Sequence, residues 1–149
     1  MIPLHYVDSC IFFEVFSISE ERLRQMAQKY FYDIDKKWHA IISSLTLGEI
    51  TEGILKLPEQ KDKEGALFNI DQHLEKFDIF YPQFQDYELS LELRKIHYHL
   101  EPADALHLAM AINNKAQFFV TLGERELINN EKIKEFCRNK GLRFKTLEG

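Results

Sequence analysis

Apolar residues fall along the chain in short compact runs, separated by longer stretches with helical period. Residues 4–7 form one such run, stopping at Asp8, and read as a first strand. Ser9 and the residues after it begin a short apolar helix, and Ser19 caps a longer one reaching about Tyr32. A polar connection, DIDKK, leads to HAIIS (39–43) as a second strand, and TLGEITEGILKL follows as a helix from Thr46. Beyond a charged loop, PEQKDKEG, a helix runs to about Phe77 and a short strand sits around DIFY. Pro82 interrupts the pattern, and 84–99 is an amphipathic helix. A further helix opens at Pro102, and QFFVT (117–121) is a strand. Asn130 caps a last helix that Gly141 closes, and 142–145 is a final strand.

Strands alternating with helices predict an α/β domain with a mainly parallel sheet. Such sheets carry their sites beyond the carboxyl ends of the strands. Asp8 and Thr121 both stand at such ends and are expected to be neighbours. The stretch 103–112, ADALHLAMAI, is apolar apart from Asp104 and His107, so it reads as a buried helix carrying a carboxylate and an imidazole. Both are costly in such a place unless something pairs with them.

Composition narrows the class without naming a chemistry. The chain has 149 residues, 45% hydrophobic and 13% aromatic, enough for one well-packed domain over 1–149. No apolar run approaches the ~18 residues of a membrane span. The start, MIPLHYVDSC, has neither the basic region nor the cleavage site of a secretory leader, so none is expected. Cys10 and Cys137 lie far apart with no metal spacing and read as free thiols of a cytoplasmic protein. A net charge of -5, from 19 basic and 24 acidic residues, argues against holding nucleic acid by gross charge alone. It leaves room for an enzyme whose metal ions or local basic patch meet phosphates. The C-terminal third offers Lys132, Lys134, Arg138, Lys140, Arg143 and Lys145 for such a patch, although a solvated helix face explains them as well.

Taken singly, each acid has an ordinary structural role. Asp8 can cap the helix after it, though Ser9 can do the same. Glu49 completes a capping box with Thr46. Asp104 in the first turn of its helix suits the dipole, and His107, at i+3, can orient Asp104 or a loop backbone. Taken together, the topology brings these helix starts and strand ends to one rim. Carboxylates about 5 Å apart there would repel by about 3 kcal/mol per pair at an effective dielectric of 20. A divalent cation relieves that repulsion, and oxygen ligands favour Mg²⁺ or Mn²⁺ over zinc.

The segments YVDSCIF, SSLTLGEITEGI, PADALHLAMA and FFVTLGERELIN, in this order, resemble the PIN-domain family along essentially the whole chain, and within it the VapC-like toxin ribonucleases. The resemblance implies a three-layer α/β/α fold with a central sheet of four to five strands. It implies metal ligands at Asp8, Glu49 and Asp104, with Ser9 and Thr121 as polar positions supporting them. The family's Thr-x-Asp is altered here: Leu122 and Gly123 follow Thr121, so Glu124 is the nearest acid and Glu126 the second choice for a fourth ligand. Glu52 could face the same pocket, and Arg125 could meet a phosphate. The implied chemistry is Mg²⁺- or Mn²⁺-dependent hydrolysis of RNA phosphodiesters, leaving a 5′-phosphate and a 3′-hydroxyl. The implied partners are RNA, a VapB-like antitoxin and a second copy of the chain in a homodimer. CIFFEVF and YFY could supply an apolar groove for either protein contact, and core packing explains them equally well.

Two other readings stand beside this one. The altered position after Thr121 would suit a PIN-fold binding module with weakened catalysis. An aspartyl-phosphate protein would use Asp8, Thr121 and Lys145, but Cys10 stands where a dehalogenase-type phosphatase has its second aspartate, and HAIIS ends in serines where a receiver has its acceptor.

Overall fold

The computed structural model describes residues 1–16, 20–123 and 126–147, with Glu126 by its backbone alone. Five strands, β1 (Leu4–Val7), β2 (His39–Ser43), β3 (Phe77–Phe80), β4 (Phe118–Thr121) and β5 (Arg143–Thr146), lie in the order β3-β2-β1-β4-β5. Every neighbouring pair is parallel. Parallel neighbours cannot be joined by tight turns, so helices make the crossings. Helices α1 (Ser9–Phe16) and α2 (Glu21–Tyr32) link β1 to β2, and α3 (Ser44–Leu55) and α4 (Gln60–Leu74) link β2 to β3. Helices α5 (Phe84–Ile96) and α6 (Pro102–Asn113) lead to β4, and α7 (Glu126–Asn129) and α8 (Glu131–Asn139) lead to β5.

Successive strand residues face opposite sides of the sheet, which therefore has a core on each face. Tyr6, Ile41 and Phe119 pack with Leu93 of α5, Leu108 and Met110 of α6 and Ile133 of α8. Val7, Ile42 and Val120 pack with Phe12 of α1, Phe31 of α2, Ile50 of α3 and Ile70 of α4. The expected three-layer α/β/α arrangement is present, with five strands and a wholly parallel sheet. Among the described residues, no helix is long and apolar enough to cross a membrane.

Several boundaries differ from the pattern-based expectation, each for a local reason. Helix α3 starts at Ser44, two residues before Thr46, because the Ser43 amide donates to Thr46 Oγ1 at 3.4 Å and makes Ser43 the cap. The charged stretch PEQKDKEG is largely the opening of α4, built from strong helix formers that need bury only Ala66 and Ile70. That helix ends at Leu74, leaving Phe77 to begin β3. Helix α5 stops at Ile96, where His97 turns to extended backbone (φ −133°) and Arg94 Nε caps the Leu100 carbonyl at 3.1 Å. Helix α7 carries too short an apolar pattern to be seen in sequence. Ser19 lies outside the described residues, and α2 has Glu20 at its N-cap position.

Asn130 Oδ1 accepts from the Ile133 amide at 3.0 Å, the expected cap of α8. Asn130→Ala should lower stability by about 1 kcal/mol. Urea titration checks this, and an unchanged midpoint would show that the cap contributes nothing.

Of the aromatics in the early helices, Phe12, Tyr30 and Phe31 are core, Phe13 and Phe16 are half-buried, and Tyr32 is exposed. A broader exposed apolar surface lies at the β3 edge and along one face of α5, where Phe80, Tyr81, Phe84, Tyr87 and Leu91 stand in solvent.

Candidate active site

Strand order reverses at β1, since the chain crosses from β1 to β2 on one side and later returns to β4 on the other. The crevice outside the carboxyl ends of β1 and β4 is where an open parallel sheet accommodates a ligand. Asp8 stands there. Its amide donates to the Val120 carbonyl at 2.9 Å, which fixes it against β4. Thr121 Oγ1 donates to Asp8 Oδ2 at 2.7 Å, and the Cys10 thiol, 3.4 Å away, donates to the same oxygen. The Asp8 residue is 1% exposed. A carboxylate so buried is costly unless hydrogen bonds compensate it, and the strand-end threonine supplies one.

Glu49 lies on the second turn of α3. Because α3 is capped by Ser43 and Thr46, Glu49 is released from the capping box that its spacing suggested. Its side chain is 36% exposed, and Oε1 accepts from His107 Nε2 at 2.8 Å. His107 itself is buried in α6. Its other ring nitrogen, Nδ1, shares a hydrogen bond with the Tyr6 hydroxyl at 2.6 Å, and Tyr6 donates to Ser43 Oγ at 2.7 Å. Burial, reinforced by the nearby Asp8 and Glu49 charges, raises the Tyr6 pKa well above the ordinary phenol value, so Tyr6 stays a neutral phenol. The histidine therefore pairs with Glu49, and not with Asp104 or a loop backbone as helix spacing suggested.

Asp104 occupies the first turn of α6 behind the Glu101 cap, as expected. It is half-buried rather than buried, since the apolar barrel of α6 begins only at Ala105. It lines a small hollow of about 20 Å³ with His97, His99 and Glu101. Beside it opens a broad cleft of about 740 Å³ between α1, α3 and the start of α6, lined by Ser9, Glu49, Glu52, Lys56 and Ala103. Gly53 forms its floor against Phe13: a Cβ at this position would collide with the Phe13 ring, so glycine is what lets α1 and α3 approach here.

The structure thus joins Asp8 to Thr121 and Glu49 to His107, and sets Ser9 and Glu49 on one cleft. Among the described residues, no three His, Cys, Asp or Glu side chains stand close enough to hold a metal ion jointly. Glu124 and Arg125 lie outside the described residues, as does the Glu126 side chain. Carboxylate oxygens on an open rim suit a hard cation that keeps several of its waters and takes one or two carboxylates, rather than a closed all-protein cage. Of the basic residues, Lys134, Arg138 and Arg143 line a separate hollow of about 230 Å³, and Lys145 lies over the Trp38 ring at 5.3 Å. Sequence reasoning missed Tyr6, Ser43 and Cys10 as neighbours of the acids, since nothing local distinguishes a strand tyrosine or a cap serine from packing residues.

The PIN-domain family model matches residues 5–132. No curated protein sequence matches the chain. Among solved structures, VapBC2 from Rickettsia felis bound to a promoter DNA fragment superposes with TM-score 0.65 at 22% identity, over 96% of this chain and 98% of that one. FitAcB from Neisseria gonorrhoeae gives TM-score 0.68 at 14% identity, over 93% and 96%. Mycobacterium tuberculosis VapC20, a toxin that cleaves the sarcin-ricin loop, gives 0.60 at 14%, over 77% and 86%.

Proposed function

Because the chain belongs to the PIN-domain family, we propose that it is a metal-dependent endoribonuclease and the toxin of a toxin–antitoxin pair. The observation that carries this reading is the buried Asp8 carboxylate, held by Thr121 at 2.7 Å at the point where strand order reverses. The similarity to VapBC and FitAB structures supports it.

In this reading Mg²⁺ or Mn²⁺ would be held by one or two of the acids Asp8, Glu49 and Asp104 directly and by the others through its retained waters, since no three of the described side chains stand close enough to ligate it jointly, with Glu124 as fourth acid in place of the family's aspartate. The ion, when bound, lowers the pKa of its water and offsets charge on the phosphodiester. The protein's own groups do the positioning. Thr121 fixes the Asp8 oxygen, Ser9 lies at the cleft wall, and Lys56 is a cleft cation available to phosphate oxygens, while Arg125, outside the described residues, is proposed for the same task from its place in the sequence. Glu52 lies on the same cleft and would repel an approaching RNA unless a cation or Lys56 offsets it. The partners are an RNA substrate, a VapB-like antitoxin and a second copy of the chain, in the cytoplasm.

Growth on induction tests the toxin role. Wild type should arrest growth and Asp8→Asn should not; equal growth of both at equal expression would overturn it. A weakened binding module, suggested by Gly123 standing where the family has aspartate, would give the second result together with intact RNA binding.

The exposed aromatic face of β3 and α5 is the surface we assign to the homodimer. Phe84→Glu with Tyr87→Glu should convert a dimer to a monomer in light scattering, leaving the fold's circular dichroism unchanged. A dimer that survives both changes lies elsewhere on the surface.

A further inference from the structure

We propose that Tyr6 and His107 are positioning residues that hold the Glu49 carboxylate toward the metal-binding rim. The inference rests on the reading of Glu49 as a metal ligand and adds to it the residues that aim that ligand. Glu49 is a flexible side chain at the mouth of the cleft, a third of it open to solvent. Left to itself it would sample many rotamers and lose that freedom on binding an ion. Here Oε1 is fixed at 2.8 Å by Nε2 of a histidine that is 1% exposed and has no rotamer freedom of its own. The histidine is fixed in turn at Nδ1 by the Tyr6 hydroxyl at 2.6 Å, edge-on to the Tyr6 ring, whose centroid lies 5.7 Å away. Tyr6 is anchored by Ser43 Oγ at 2.7 Å and by its stack on Phe119.

This chain of contacts runs from the core to the rim across β1, β2, α6 and α3. Any imidazole this buried needs partners at both ring nitrogens, and backbone groups of its own surroundings could have supplied them. This one spends both ring nitrogens on a path that ends at the cleft carboxylate. Hydrogen-bonded partners behind a ligand typically change metal affinity 10–100-fold when removed.

Mn²⁺ affinity at one fixed pH, read by calorimetry with electron paramagnetic resonance of free Mn²⁺ as a cross-check, tests the inference without relying on activity. His107→Leu should weaken binding by roughly 10–100-fold and Tyr6→Phe by a smaller factor. His107→Gln, which keeps a donor near Nε2, should restore most of the loss. In a Glu49→Gln background, His107→Leu should have no further effect, because the coupling runs through that carboxylate. Should His107→Leu fail to fold, Tyr6→Phe and the Gln variant carry the comparison.

Wild-type affinity in folded Tyr6→Phe and His107→Leu, with affinity lost in Asp8→Asn, would overturn this inference and leave the proposed function standing. So would an equal His107→Leu effect with and without Glu49. Wild-type affinity in Asp8→Asn, with loss in His107→Leu, would overturn the assignment of Asp8 and support the positioning of Glu49. No Mn²⁺ binding by the wild type would overturn both.

Discussion

Asp8→Asn should lower RNA cleavage on the order of 1,000-fold while leaving a folded protein. Asparagine keeps the shape of the side chain and can still accept the Thr121 hydroxyl, which lies 2.7 Å from Oδ2 in the native chain. It removes the negative charge that a divalent cation needs, and metal-held stabilisation of a developing charge is worth several kcal/mol, with each ~1.4 kcal/mol counting tenfold in rate. Thr121→Val should give a milder loss, because the charge stays and only its hydrogen bond goes. Cleavage assays on end-labelled RNA, with thermal melts of the same preparations, check both. Undiminished cleavage by Asp8→Asn would sink the assignment of the site; a collapsed melt would mean that Asp8 serves the fold instead.

The largest expected effect on stability comes from His5, on the face of the sheet beneath α2. His5 is buried, stacked on Trp38 with ring centroids 5.0 Å apart, and hydrogen-bonded to the Tyr30 hydroxyl at 2.6 Å. Burial, and secondly the Lys145 charge, lower its pKa from 6.5 to about 4. A depressed histidine pKa means that the unfolded chain takes up a proton which the folded chain refuses. The contribution is therefore full above pH 6.5 and is lost as pH falls toward 4. Below that, both states are protonated and the loss stops growing. The full loss should amount to roughly 3 kcal/mol, since the fall from 6.5 to about 4 counts about 1.4 kcal/mol per pH unit, and roughly 2–3 kcal/mol of it is reached by pH 4.5. Urea titrations at pH 7.5 and 4.5 should show this excess acid sensitivity in the wild type and its absence in His5→Asn. His73, lowered by burial and by Lys76, acts in the same direction and is common to both proteins. Identical pH dependence in the two would rule out His5 as the group responsible.

What was legible in the sequence follows from how local the signal was. Strands β1 and β2 keep the bounds read from their apolar runs, because both end abruptly at polar residues, Asp8 and Ser43. The meeting of Asp8 with Thr121 was legible from topology, since parallel strands place their carboxyl ends together. The start of α3 was not. Ser43 and Thr46 are both good caps, and the choice falls to Ser43, whose hydroxyl is engaged by Tyr6 from another strand. The partner of His107 was hidden for the same reason: helix spacing points to Asp104 three residues away, whereas the contact made is with Glu49, 58 residues distant. Asp104 escaped the burial its neighbours suggested because the first turn of α6 sits at the rim. The alteration after Thr121 was visible as a sequence fact, and Glu124, the acid proposed in place of the family's aspartate, lies outside the described residues.

Incubating the wild-type protein with single-stranded RNA, with Mn²⁺ or with excess chelator, and identifying the ends of the fragments decides whether this rim works through a divalent cation on RNA. Cleavage is expected with Mn²⁺ and none with chelator, the fragments bearing 5′-phosphate and 3′-hydroxyl ends. Cleavage that persists in chelator, or fragments ending in 2′,3′-cyclic phosphate, would contradict that role for the rim.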